Sequence, residues 1–191
     1  MSRGLGDVYK RQEYNGIQLI NSEVIVRYIR QLLENDLRYA PFTFVASEWP
    51  VEETIDIQTP KGVLKLRMGG TIDRMDSKDG VLRIVDYKTG GDADTPPNIE
   101  SLFIPDKKRS GYVFQTFLYA SLVCRKLRER GDDRRVAPSL LYIHRAAADN
   151  YSPVIQMGEA RKPKEPVEDF AQHEMEFLSL IHISEPTRHS L

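Results

Sequence analysis

The chain has 191 residues, 40% hydrophobic and 29% charged, with a formal net charge of −1. That suits one domain with a real core, and no apolar run reads as a membrane span or a signal peptide. A single cysteine, Cys124, excludes an internal disulfide, a cysteine-based zinc site and a four-cysteine iron–sulfur cluster, and a reducing cytoplasm is the expected setting.

In chain order, the first feature is a leader that mirrors the tail. One coding of residues 2–12, read as its reverse complement, translates into residues 178–188. Such an inverted repeat resembles the transposase adapter used in sequencing libraries. Residues 1–12 and 178–191 are therefore expected to be adapter-derived, with the domain over 13–177 and incomplete at both ends. His182 and His189 lie in the tail and carry no functional weight.

Residues 21–41 read as a helix: Asn21 or Ser22 can cap it, Ile25, Ile29, Leu32 and Leu33 form a stripe, and Pro41 closes it. Residues 42–51 and 53–60 have strand composition, followed by a turn at Pro60-Lys61-Gly62. Residues 63–76 form a long strand with Gly69-Gly70 inside it, 77–80 a turn, and 81–88 the returning strand. The centre of the chain is thus an antiparallel meander. A long loop follows over 90–111, where Pro96-Pro97 and two glycines oppose regular structure. Residues 112–130 form an amphipathic helix ended by Gly131. Residues 139–146 and 151–158 read as two more strands, and 166–177 as the start of a last helix. The expected fold class is α/β, a mixed sheet flanked by helices.

The chemistry concentrates in the meander. If Asp76 pairs with Val81, then Asp73 faces Ile84 and Asp86 faces Thr71. Alternation puts Thr71, Asp73, Ile84, Asp86 and Lys88 on one face. The two acids become diagonal neighbours, with α-carbons roughly 7–8 Å apart. Two hard carboxylates suit Mg²⁺, which accepts one or two and keeps several waters. Lys88 lies one step further along, able to orient water or steady charge on a phosphate. The plainer alternative is an exposed Asp-x-Lys at a strand end, with Asp73 and Arg74 as an ordinary ion pair.

The stretches GGTIDRMD, LRIVDYKTG and YVFQTFLYA, in that order, resemble the PD-(D/E)XK nuclease superfamily in its RecB/AddB-like branch. The resemblance covers roughly residues 42–119. It implies a restriction-endonuclease-like fold, with Asp73 and Asp86 as ligands of Mg²⁺ (or Mn²⁺), the Tyr87 carbonyl as a further ligand, and Lys88 as the catalytic lysine. Gln115 and Tyr119 match the family's Gln-x-x-x-Tyr motif, and four residues apart they share a helical face. Their implied role is to position DNA and the site lysine; Tyr119 also reads as a core aromatic. Glu48, an acid inside an apolar strand, stands where the family often has a glutamate near its metals, or else pairs with Arg67 or Arg74. The resemblance further implies DNA as partner, a helicase domain or subunit in DNA repair, no membrane and no small-molecule cofactor. The branch's metal-binding histidine has no counterpart here, because no histidine precedes His144; it is expected in sequence upstream of Glu13. His144 reads as a strand residue and Cys124 as a small apolar helix residue.

Lys107, Lys108 and Arg109 precede the Gln115 helix and could touch DNA phosphates, or belong to a solvated loop. The mixed charges of 125–135 read as a solvated helix end. Two other classes stay open: a catalytically inactive DNA-binding or scaffold module of the same fold, and a two-carboxylate glycosidase, which would need no metal and give Lys88 no role.

Overall fold

The computed structural model describes residues 16–59, 61–105 and 109–183. Helix α1 (Gly16–Tyr39) leads into strand β1 (Thr43–Thr59), which pairs antiparallel with β2 (Gly62–Lys78). Strand β3 (Val81–Lys88) pairs antiparallel with β2 and parallel with β4 (Arg135–Tyr142). Helix α2 (Gly111–Glu129) is the crossover between β3 and β4, and the sheet order is β1-β2-β3-β4. A small ladder of β5 (Gln156–Met157) and β6 (Glu165–Pro166) precedes helix α3 (Ala171–Ile183). The mixed sheet flanked by helices matches the expected class.

The main core lies between the sheet and α2. Leu82, Ile84, Val136 and Leu140 of the sheet meet Val113, Phe117, Ala120 and Val123 of α2, and Phe170 and Phe177 close the layer. Helix α2 begins at Ser110, whose hydroxyl accepts from the Val113 amide. A smaller cluster on the other face joins Val85, Leu141 and Ile143 to Tyr28 and Leu32 of α1.

Several expectations need correction. The two strands expected over 42–60 are one, because the irregularities inside it do not end pairing. One is a bulge between Phe44 and Ala46, the other a left-handed Glu48 with φ 47°. The hairpin turn is two residues, Asp79-Gly80, with φ 50° and 75°. Both values suit the tight turn that an Asp-Gly pair favours. That shorter turn moves the register by two: Lys78 faces Val81, Asp76 faces Arg83, and Met75, not Asp73, faces Ile84. The strand expected over 139–146 starts earlier, at Arg135, since a parallel strand buried on both faces shows no alternation and Pro138 masks it. His144 therefore sits in a 3₁₀ turn and is exposed. The expected strand over 151–158 is one bridge at Val154 followed by β5.

Helix α1 starts earlier than expected, and the Ser22 hydroxyl donates to Leu19 O instead of capping it. Its expected apolar stripe faces outward, with Ile25, Ile29 and Leu33 exposed and only Leu32 packed. The helix docks through its other face by polar contacts. Asp36 pairs with Arg74 at 2.7 Å, and the Tyr28 hydroxyl reaches Thr89 O at 3.5 Å. The expected domain end at Phe177 falls inside α3, and Leu180 and Ile181 pack against the core. The leader 1–12, and residues 184–191 of the tail, lie outside the described residues.

Candidate active site

The β2–β3 ladder runs from Lys78↔Val81 to Arg74↔Val85. Beyond that pair the strands part company. β2 continues along β1, with Trp49↔Ile72 and Pro50↔Thr71, while β3 continues along β4, with Asp86↔Leu140 and Lys88↔Tyr142. The sheet forks there, and the first residues past the fork are Asp73 on one arm and Asp86 on the other. The acids expected to be diagonal neighbours stand across the fork at the same step.

Each acid is held. Asp73 Oδ2 accepts from the backbone N–H of Tyr87 at 2.8 Å. Its carboxylate thus takes the place of a strand carbonyl and bridges the arms where the ladder has stopped. Asp86 Oδ2 pairs with Lys88 Nζ at 2.5 Å and is closed to solvent. The two side chains keep 13% and 15% exposure, little enough that either charge alone would be costly. Burial raises the Asp86 carboxyl above its ordinary value; Lys88 opposes the shift and the nearby Asp73 charge adds to it.

Helix α2 roofs the fork. Lys88 Nζ lies 4.0 Å from the centroid of the Tyr112 ring. Gln115 Nε2 donates to the Tyr119 hydroxyl at 2.9 Å. That hydroxyl presses on Gly70 of β2, so closely that a Cβ there would meet it at 2.0 Å. Tyr112, Gln115 and Tyr119 therefore form one helical line, anchored over β3 at one end and β2 at the other. Tyr119 is both a buried core residue and a member of this line. Tyr112 was not foreseen, although it lies three residues before Gln115, the spacing of a shared face.

Glu48 stands in register with Asp73, between Ser47↔Arg74 and Trp49↔Ile72, with an exposed side chain and left-handed backbone. Such strain collects at functional positions. Neither arginine considered for it takes it: Arg67 pairs with Glu52, and Arg74 with Asp36 and Asp76. Arg109 is exposed beside the helix start and lines a cleft of about 520 Å³ with Ser110, Tyr112, Gln115 and Tyr142. Lys107 and Lys108 lie outside the described residues. Of the charges of 125–135, Arg134 pairs with Asp132 and Arg125 with Glu129 at the surface, and Arg128 pairs with the buried Glu174. Cys124 is buried, and burial pushes its thiol up to about 12.

The profile of the PD-(D/E)XK nuclease superfamily matches residues 3–186. The chain belongs to the PD-(D/E)XK nuclease superfamily. No curated protein matches the chain. Nucleases of this superfamily typically use divalent metal ions. The residues present fit one such ion: the contacts of both acids run through Oδ2, which leaves Oδ1 of each as a hard donor. Among the described residues, no three histidine, cysteine, aspartate or glutamate side chains gather into a cage, so waters and backbone would complete the shell. Among the same residues no helix is long and apolar enough to cross a membrane.

Proposed function

We propose that the chain is a Mg²⁺- or Mn²⁺-dependent deoxyribonuclease domain that hydrolyses DNA phosphodiester bonds. The observation that carries this reading is the fork itself, with Asp73 and Asp86 on opposite arms and Lys88 beside them. In this reading Asp73, Asp86 and the Tyr87 carbonyl hold the cation, and Glu48, in register with Asp73, lies at the rim. When bound, the cation polarises a phosphoryl oxygen and neutralises its charge. Lys88 presents an ammonium to the charge that grows on the phosphate, and Tyr112 and Asp86 fix its direction. Gln115 and Tyr119 hold the strand over the fork, and Arg109, with Lys107 and Lys108, contacts backbone phosphates without reading bases. The ordered motifs further support a RecB/AddB-like exonuclease module, working in the cytoplasm beside a helicase domain or subunit in DNA repair and recombination.

A second reading has a specific observation behind it. Among the described residues no third side-chain ligand joins the acids, as expected of an inactive DNA-binding module that keeps the fold. One assay separates the two: cleavage of single- and double-stranded DNA with Mg²⁺ or Mn²⁺, with EDTA, and with Lys88→Ala. Metal-dependent cleavage lost in both controls is the expected result. Cleavage that survives EDTA or the substitution rejects the mechanism, and DNA binding without cleavage selects the inactive module.

A further inference from the structure

Tyr87 sits between Asp86 and Lys88 on the β3 arm of the fork, and it is gripped twice. On one side its amide donates to the Asp73 carboxylate at 2.8 Å. On the other its hydroxyl meets Nη1 of Arg74 at 3.3 Å. Consecutive residues of β2 thus hold one residue of β3, just past the last backbone pair, Arg74↔Val85.

Arg74 is itself fixed from several directions. Its Nη1 pairs with Asp36 of α1 at 2.7 Å and its Nε with Asp76 at 2.9 Å. Its guanidinium lies 4.9 Å from the Phe42 ring centroid. Asp76, fully buried, is shared with Arg83, which donates to both its oxygens at 3.0 and 2.8 Å. Arg83 in turn lies over the Tyr39 ring at 3.8 Å. Residues from α1, β1's approach, β2 and β3 therefore converge on the face opposite α2. A guanidinium is suited to this task because its planar fork meets several partners at once with its direction fixed, whereas an ammonium is a point charge on a flexible stem.

We infer that Arg74 is a positioning residue for the nuclease site: through the Tyr87 hydroxyl it sets the separation of the fork's arms, and so the placement of Asp73 and Asp86 around a divalent cation. Arg74 touches neither cation nor substrate. It acts from the back of the sheet, while Asp73 closes the same link from the front. The inference rests on the proposed nuclease reading, but it predicts cation affinity independently of cleavage.

The test compares the full chain with Tyr87→Phe, Arg74→Lys and, as site control, Asp86→Asn. Mn²⁺ affinity is measured by titration calorimetry, thermal unfolding is followed separately, and kcat and KM are measured on DNA. Arg74→Lys keeps the buried charge, and Tyr87→Phe removes a single hydroxyl and keeps the fold in reach. The expected result is melting within a few degrees of the parent for Tyr87→Phe, Mn²⁺ binding weakened about fivefold or more in both variants, and kcat lowered tenfold with KM for DNA unchanged. Parental Mn²⁺ affinity in both variants overturns the inference, as does a loss that only tracks melting temperature. A parent chain that binds Mn²⁺ through Asp86 but cuts no DNA defeats the nuclease reading and leaves the affinities to decide on Arg74. Absence of any Asp86-dependent Mn²⁺ binding overturns both.

Discussion

The hydroxyl of Tyr119 occupies the space where a side chain on Gly70 would begin: a Cβ there would lie 2.0 Å from the oxygen and 2.8 Å from Cζ. Glycine at 70 is thus the condition for α2 to lie close over β2, and the Gln115–Tyr119 hydrogen bond depends on it. Gly70→Ala is expected to destabilise the fold by about 1–3 kcal/mol, the usual cost of overpacking, and to lower nuclease activity as the helix line shifts. Adding Tyr119→Phe should return part of the lost stability, because the oxygen in the way is gone. Chemical unfolding of the double-mutant cycle measures this coupling, and strict additivity would show that the two residues do not meet.

Tyr112 holds Lys88 through its ring, so the hydroxyl is dispensable. Tyr112→Phe should keep near-parental kcat. Tyr112→Ala should lower kcat by about tenfold, in line with the ~0.5–2 kcal/mol of a cation–π contact. Lys88→Ala should go further, by about 10²-fold or more. Equal loss in the phenylalanine and alanine variants would assign the effect to the hydroxyl instead.

The Asp86 carboxyl titrates above its ordinary value, chiefly because of burial. Between the unfolded value, near 3.9, and the raised folded value, the folded chain binds more protons than the unfolded one. Stability from this group therefore rises as pH falls through that window and is lost as pH rises through the folded value. The melting temperature of the parent relative to Asp86→Asn should increase as the pH is taken down from neutral without metal. A flat or opposite difference contradicts the assignment. Because protons and cations compete for the same oxygens, Mn²⁺ should bind more weakly at acid pH than an ordinary aspartate would allow.

Cys124 lies inside α2 with its thiol pushed up to about 12. The thiolate is the reactive form, so an aromatic disulfide reagent should leave the native chain unlabelled at pH 8 and label it fully in denaturant. Rapid labelling of the native chain would mean that α2 opens easily from the core.

Much of the candidate site was legible because it is carried by short, local patterns. An acid, one residue and a lysine at the end of a strand need no tertiary information to be found. The same holds for Gln115 and Tyr119, four residues apart in a helix. The shared placement of Asp73 and Asp86 survived a two-residue register error, since a shift by two preserves which way a strand residue points. What escaped was non-local. Arg74 reads as a neighbour of Asp73, yet its partners are Asp36, Asp76 and Tyr87, drawn from three elements. The outward stripe of α1 also misled, because hydrophobic spacing marks an amphipathic face but not the surface it meets.

By itself the sequence determined the class of the sheet, its meander and the identity of the chemical groups, because side-chain alternation, turn residues and helix spacing are properties of the local backbone. Tertiary structure alone decided that β2 and β3 diverge after Arg74↔Val85. A strand leaves one neighbour only when a different neighbour offers its backbone a better partner. Here β1 takes β2 and β4 takes β3, and the second of those pairings joins residues 54 positions apart, as in Val81↔Arg135.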